Sequence, residues 1–274
     1  MTIANSSMLA SFPQIESLSI PTVEEGMIEL LSDVRDNRIP LAAQNTMHDY
    51  YDRYIAWQNH FLHHFAPFVC EADELFSLPG QRPHLLDLGC GVATQAHFFA
   101  MRGASITGLD NKIERVKAGR AMTSWFEEKS GTPLNVQLHA TDAFEMLATR
   151  EPATFDGCYT QFALAYMRPH RKMLELIHRV VRPGGLIMFR EFNAGSLYNR
   201  LVSRVDWLKA RDYQRIGKEL GWNNEMSQFC WFFPKQLTNP RSARHLLRPI
   251  EDTVAKCSPI ASKMAASMTL VFRR

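Results

Sequence analysis

The stretch Leu85-Leu86-Asp87-Leu88-Gly89-Cys90-Gly91-Val92-Ala93-Thr94 decides how the chain folds. An apolar run with the character of a strand ends in a glycine turn, and the turn opens into Thr94–Arg102, where apolar residues recur at helical spacing. Glycine at 89 and 91 permits positive φ and lets a ligand approach the backbone closely. The helix start behind it offers unpaired N–H groups. A dinucleotide fingerprint would require glycine at position 94, where threonine stands, and Asp87 would repel a pyrophosphate. The turn suits a ligand with a cationic or ammonium-bearing end.

Downstream, short aliphatic runs alternate with helical stretches. Strands are predicted at His84–Leu88, Ser105–Leu109, Asn135–His139, Phe155–Tyr159 and Leu186–Arg190, and helices at Thr94–Arg102, Lys112–Lys129, Ala143–Ala148 and Arg171–Val181. Such alternation means βαβ units and a parallel sheet covered on both faces. Beyond Glu191 the rhythm breaks. Helices are predicted over Leu197–Lys209 and Arg211–Leu220, an aromatic strand over Met226–Phe233, a basic helical stretch over Arg241–Lys256 and a last strand over Ser267–Phe272. The fold class expected is α/β, a doubly wound Rossmann-like sheet of about seven strands with helices on both faces.

Upstream of the glycine turn, residues 1–20 read as a frayed, Ser-rich arm. A helix is predicted over Thr22–Asn37 with Thr22 as its cap, and another from Thr46 to about Leu75, kinked or split at Pro67. Leu78-Pro79-Gly80-Gln81-Arg82-Pro83 is the strongest breaker cluster. The expected organisation is an N-terminal arm and helical lid over 1–80. A ligand-binding domain follows over 81–274, with a substrate-covering insertion at about 192–225.

Composition narrows the function classes. With 46% apolar and 22% charged residues among 274, the chain is neither disordered nor short of core material. No stretch of about 18–20 residues is apolar enough to span a membrane, and Met1 to Phe12 lacks the features of a secretory signal. Five scattered cysteines without a C-x-x-C pair signal neither zinc nor a disulfide framework, and the expected compartment is the cytoplasm. Residues 1–80 carry three basic and eleven acidic side chains, whereas residues 192–274 carry fourteen basic and six acidic ones. This asymmetry either neutralises within the fold or faces an anionic partner.

Spaced along the strand ends, Asp87-Leu88-Gly89-Cys90-Gly91, Asp110, Asp142-Ala143, Phe155-Asp156 and Arg182-Pro183-Gly184-Gly185 together resemble the class I S-adenosylmethionine-dependent methyltransferases. The resemblance covers residues 84–191. It departs at Ala93, where many members carry a third glycine. It implies S-adenosyl-L-methionine as cofactor, with Gly89, Cys90 and Gly91 at its methionine and ribose part and Asp87 near its amino group. Asp110 and Asn111 would meet the ribose hydroxyls, Asp142 and Ala143 the adenine, and Gln161 the methionine end beside Phe162. Asp156 reads as a structural residue at a strand start.

The acceptor is less legible. Tyr50, Tyr51 and Tyr54 on the lid either flank a sulfonium or pack with wet phenol tips. His60, His63 and His64 have metal-compatible spacing, but no carboxylate groups with them in the sequence, so a solvated helix face is expected and no metal. Weak candidates for catalysis are His170, Glu191 and Tyr54; Arg190, Glu191 and Asn193 are expected to leave the fifth strand toward the cleft. No Asn/Asp-Pro-Pro-Tyr/Phe run follows the fourth strand, which disfavours amino-group methylation of adenine or glutamine. The aromatic and basic C-terminal third is similar to enzymes acting on small organic or lipid-linked acceptors. Ala56-Trp57-Gln58 and Phe192-Asn193-Ala194-Gly195 carry a weaker likeness to enzymes that methyl-esterify a tRNA wobble uridine. Three readings stay open: a small-molecule or lipid-type methyltransferase, an RNA or protein methyltransferase, and a non-catalytic cofactor-binding module.

Overall fold

Aliphatic runs bounded by breakers form five parallel strands, β1 (His84–Leu88), β2 (Ser105–Asp110), β3 (Val136–Ala140), β4 (Phe155–Gln161) and β5 (Val181–Phe192). β6 (Asn223–Cys230) and β7 (Ser267–Arg273) complete a seven-stranded sheet of order β3-β2-β1-β4-β5-β7-β6, with β7 antiparallel to both neighbours. The computed structural model of the chain describes residues 18–77, 82–202, 207–255 and 258–274. The strand order reverses between β1 and β4, and in open α/β sheets that switch point opens a crevice at the carboxyl ends of the strands.

Crossover helices α4 (Thr94–Met101), α5 (Ile113–Ser130), α6 (Ala143–Thr149) and α7 (His170–Val180) cover the sheet. Strand side chains alternate between its faces. Leu85, Ile106, Tyr159 and Met188 pack on one side with α4, α5 and the N-terminal helices α1 (Ile20–Arg35), α2 (Gln44–Ala56) and α3 (Gln58–Phe76). Leu86, Leu88, Cys158 and Ile187 pack on the other side with α6, α7 and α9 (Ala210–Glu219). The N-terminal helices therefore share a core with β1, β2 and β4. Buried Asp33 ties α1 to α5 by accepting from Trp125 Nε1 at 3.0 Å, and Asp73 ties α3 to the end of α4 through Arg102 Nε at 3.1 Å. A C-terminal cap is built from α8 (Leu197–Val202), α10 (Lys235–Thr238), α11 (Arg241–Ala255) and α12 (Ser258–Met264).

Four local expectations change. α1 starts at Ile20, because Ser19 rather than Thr22 caps it and Pro21 fits the first turn. The predicted helix over Thr46–Leu75 is broken at Trp57 (φ −123°, ψ 44°), while Pro67 stays inside α3. Near that proline the His64 carbonyl accepts from Arg190 Nη1 at 3.0 Å. β5 begins at Val181, since the Pro-Gly-Gly segment forms an irregularity in the ladder between the pairs Val181–Phe155 and Leu186–Gly157. β6 ends at Cys230, because Trp231 takes φ +67° and leaves the sheet. Most of the predicted arm, the breaker residues 78–81, Lys256 and residues 203–206 of the predicted helix Leu197–Lys209 lie outside the described residues.

Gly157 sits where α3 presses on β4: a Cβ there would meet the Phe76 ring and lie 3.0 Å from the Leu186 carbonyl. Gly157→Ala is expected to overpack this seam and cost about 1–3 kcal/mol, read as a lower urea midpoint with an unchanged slope.

Candidate active site

The glycine turn is clamped from the neighbouring strand. The Leu109 carbonyl accepts from Gly89 N at 2.8 Å and from Cys90 N at 2.9 Å. Asp110, at the tip of β2, accepts from Gly91 N at 2.9 Å through one oxygen and from Lys112 N at 2.8 Å through the other. Gly89 and Gly91 take φ of +77° and +57°. A Cβ at 89 would collide with Ala163 on the loop after β4, and one at 91 would lie 3.0 Å from the Tyr50 hydroxyl. Ala93 also stands in the left-handed region, at φ +62°. The position therefore calls for glycine on backbone grounds, beyond the close packing that a small residue satisfies.

One cavity of about 1010 Å³ opens along these strand ends. Asp87, Gly89, Cys90, Gly91, Asp110, Asn111, Asp142, Ala143 and Gln161 all line it, and so does Tyr54. Asp142 caps α6, its Oδ1 accepting from Phe144 N at 2.7 Å and Glu145 N at 3.3 Å. Gln161 accepts from the Gln95 side chain. Asp87 is buried and its Oδ2 has no hydrogen-bond partner. Burial pushes its carboxyl up to about 7, nearby Asp110 adds to the rise, and the Tyr159 phenol opposes it. A buried carboxylate with one unpartnered oxygen, a glycine cradle and carboxylates with lone pairs to spare fit the amino group, backbone approach and ribose of the nucleoside implied by the sequence resemblance.

The lid lies directly on this end. Tyr50 covers Gly91, and the guanidinium carbon of Arg115 lies 5.5 Å from the centroid of its ring. The Tyr51 hydroxyl bonds the Thr94 hydroxyl at the start of α4. Tyr54 stacks at 4.4 Å on Phe61. Burial raises all three phenols above their ordinary value, so each stays protonated at neutral pH.

At the far end the cavity is aromatic. Trp231 packs between His64 (4.6 Å) and Phe162 (5.0 Å), and Phe162 meets Phe192 at 4.5 Å. His60 bonds the Thr238 hydroxyl through Nδ1 at 2.5 Å. Desolvation pulls His60 down to about 4 and His64 well below its ordinary range, so both imidazoles are neutral at pH 7. The expected solvated histidine face is absent. His63 and His64 are buried, and His63 Nε2 bonds Glu251 Oε2 at 2.6 Å, bringing three possible ligand atoms within 4.8 Å. Glu251 is 188 residues away, so no spacing rule reaches it. The C-terminal aromatics carry one signal for this wall: Trp231 was readable as strand, yet its positive φ turns it to the cavity.

His170 and Glu191 do not line the cavity. Glu191 is buried behind it and accepts from Leu164 N at 2.8 Å, holding the loop whose Ala163 abuts Gly89. Arg190 turns to α3, reaching the His64 carbonyl and lying 4.4 Å from the Phe68 ring centroid. Asn193 bonds the carbonyls of Ser262 and Ala265. None of the three leaves β5 toward the cleft, because the ladder with β7 continues through Phe192 and fixes alternate side chains on the two faces. Asp156 accepts from His84 N at 2.7 Å and from Arg182 Nε at 2.6 Å, a structural tie between β1, β4 and β5.

Comparison with known proteins follows the same lines. Residues 85–185 match the family model described as a methyltransferase domain. A ubiquinone biosynthesis O-methyltransferase of Paracidovorax citrulli is 31% identical over 121 residues, 44% of this chain and 48% of the relative. A malonyl-[acyl-carrier protein] O-methyltransferase of Pseudescherichia vulneris is 27% identical over 128 residues, 46% of each chain. The chain thus spans about half the length of the curated relatives it matches. Among solved structures, a SAM-dependent methyltransferase from Archaeoglobus fulgidus superposes with a TM-score of 0.56 at 15% identity, covering 82% of this chain and 99% of that one. A sarcosine dimethylglycine methyltransferase assignment from Galdieria sulphuraria gives 0.55 at 17% identity, covering 76% and 83%. These likenesses establish the fold.

Glu191 supports the cavity loop as a neutral acid, since burial lifts its carboxyl to about 8. Glu191→Gln is expected to keep the turnover of the parent chain, whereas Glu191→Ala loses about 1–3 kcal/mol by stranding buried N–H groups. A carboxyl raised from 4.5 to about 8 binds a proton more tightly when folded. The parent should therefore lose stability relative to Glu191→Gln as pH rises through that window, measured by urea unfolding at each pH.

Proposed function

We propose that this chain, which carries a class I S-adenosylmethionine-dependent methyltransferase domain over residues 85–185, transfers a methyl group to a small organic or lipid-type acceptor. The observation that carries the reading is the single cavity with two chemically different ends: carboxylates and a glycine turn at one, neutral imidazoles and aromatic rings at the other. The ubiquinone-biosynthesis and malonyl-carrier relatives, named as O-methyltransferases, support an acceptor of this kind. Among the described residues no helix is long and apolar enough to cross a membrane. The free thiols of Cys70, Cys90, Cys158 and Cys230 agree with a cytoplasmic setting.

S-adenosylmethionine supplies an electrophilic methyl group on a sulfonium. Residues of this chain do the rest. Asp110 and Asn111 hold the ribose, Asp142 and Ala143 the adenine, and Asp87, Cys90 and Gln161 the methionine end beside Gly89 and Gly91. Tyr50, Tyr51 and Tyr54 close the lid and exclude water, and protonated Tyr54 donates a hydrogen bond instead of acting as a base. Trp231, Phe162 and Phe192 align the acceptor, and His60 and His64 offer neutral ring nitrogens to its heteroatom. Alignment and desolvation are the main contributions an enzyme makes to an in-line displacement. Glu191 acts outside the cavity as loop support, and His170, the first residue of α7, also lies outside it.

Calorimetric titration with S-adenosylmethionine should give micromolar binding, weakened about hundredfold by Asp110→Ala, which removes a charged acceptor of several hydrogen bonds. No binding at millimolar ligand would overturn the reading. Labelled methyl transfer is expected to small aromatic or lipid-linked acceptors; transfer to bulk tRNA alone would replace the acceptor assignment. Affinity should also depend on pH. An ammonium group prefers ionised Asp87, whose carboxyl titrates at about 7. Binding should weaken by up to about tenfold per unit below that pH, and Asp87→Asn should flatten the profile.

A further inference from the structure

The C-terminal cap repeats one surface pattern on three helices. Leu197 and Leu201 on α8, Leu246 and Ile250 on α11, and Ile260 and Met264 on α12 are aliphatic pairs four residues apart, each residue between 49% and 87% exposed. Residues four apart stand on one helix face. Exposed Arg200 lies within the first pair and exposed Lys263 within the third, whereas Arg248, within the second, is part-buried with its Nη2 turned inward. Leu237 on α10, also exposed, follows Lys235. The helices are contiguous, since α12 packs on α8 and α11, and α11 packs on α10. Elsewhere among the described residues the exposed large apolar side chains, Ile28, Leu41, Ile113 and Tyr166, form no i, i+4 pair. The acids on these four helices are Glu251, bonded to His63, and Asp252.

We propose that this cap is a peripheral docking face for an anionic lipid bilayer. Aliphatic side chains in i, i+4 pairs enter the boundary between headgroups and acyl chains, while exposed Arg200 and Lys263 reach the lipid phosphates from their long apolar stems. Net positive charge supplies the complementarity, because each cation near an anionic leaflet adds favourable energy. A second copy of this chain fits less well, since an isologous contact would set the same cations against each other. RNA fits less well too: single-stranded bases are held by stacked aromatic rings, and the exposed apolar residues described on the cap are aliphatic. The face adjoins the acceptor end of the cavity. α10 and α11 pack on α3, and Lys235, whose ammonium lies 4.3 Å from the Trp57 ring centroid, lines the cavity itself.

The test is flotation of the purified full chain with two vesicle types, phosphatidylcholine alone and phosphatidylcholine mixed with phosphatidylglycerol. The chain should float with the mixed vesicles and not with phosphatidylcholine alone, and added salt should weaken binding. Leu246→Ser with Ile250→Ser, and separately Ile260→Ser with Met264→Ser, should lower partitioning about tenfold. Lys263→Glu, an exposed change that leaves the core untouched, should lower it about fivefold. Ile28→Ser on α1 should leave it unchanged. Thermal melts and S-adenosylmethionine binding report that each variant is folded. The proposal is overturned by absence of flotation, by flotation indifferent to the aliphatic pairs, by a dimer in light scattering that those substitutions dissociate, or by bulk tRNA displacing the vesicles. Flotation uses neither methyl donor nor acceptor, so its failure and the failure of the methyltransferase reading are read separately.

Discussion

The glycine-turn end of the cavity, and the helices laid on it, depend on the Asp110 carboxylate. It stands at the carboxyl end of β2 and takes the backbone N–H of Gly91 on one oxygen and that of Lys112 on the other. With the Leu109 carbonyl beneath Gly89 and Cys90, it locks a turn with three residues in the left-handed region into one conformation. A charge-assisted hydrogen bond to backbone is about twice as strong as a neutral one. The same anion lies on the cavity wall, and the turn it organises is fixed by protein contacts alone. The lid takes its position from the same turn, through Tyr50 over Gly91 and Tyr51 on Thr94.

The buried acids divide between two tasks according to their partners. Asp87 has an oxygen without a hydrogen-bond partner and faces the cavity, which sets it apart from scaffold. Glu191 faces a protein loop and takes its N–H groups, which marks it as scaffold despite a comparable upward shift. A shifted carboxyl does not by itself identify a catalytic acid or base. Geometry separates the two here: one lies on the cavity wall, and the other stands one layer behind it.

The N-terminal helices and the C-terminal cap meet at α3, which carries His60, His63 and His64. His60 joins α10 through Thr238 and His63 joins α11 through Glu251, while His64 stacks on Trp231. The aromatic end of the cavity is thus assembled from segments nearly two hundred residues apart. The neutral imidazoles of His60 and His64 follow from that burial, since desolvation disfavours their charged form. Movement of the cap relative to α3 would reshape this end while leaving the glycine-turn end intact.

By itself the sequence determined the strand and helix alternation, the glycine turn and the acids at the ends of β1 and β2, because hydrophobic periodicity and turn chemistry are local properties. It also determined that Asp87, Asp110, Asp142 and Gln161 converge, since parallel strands must deliver their carboxyl ends to one edge of the sheet. Tertiary structure alone decided the break at Trp57 over Pro67, the turning of Arg190 and Glu191 away from the cleft, and the burial of the histidines against Glu251. Those outcomes depend on contacts between distant segments, in which packing and desolvation outweigh local preference, and no spacing along the chain encodes which distant side chain will fill a given face.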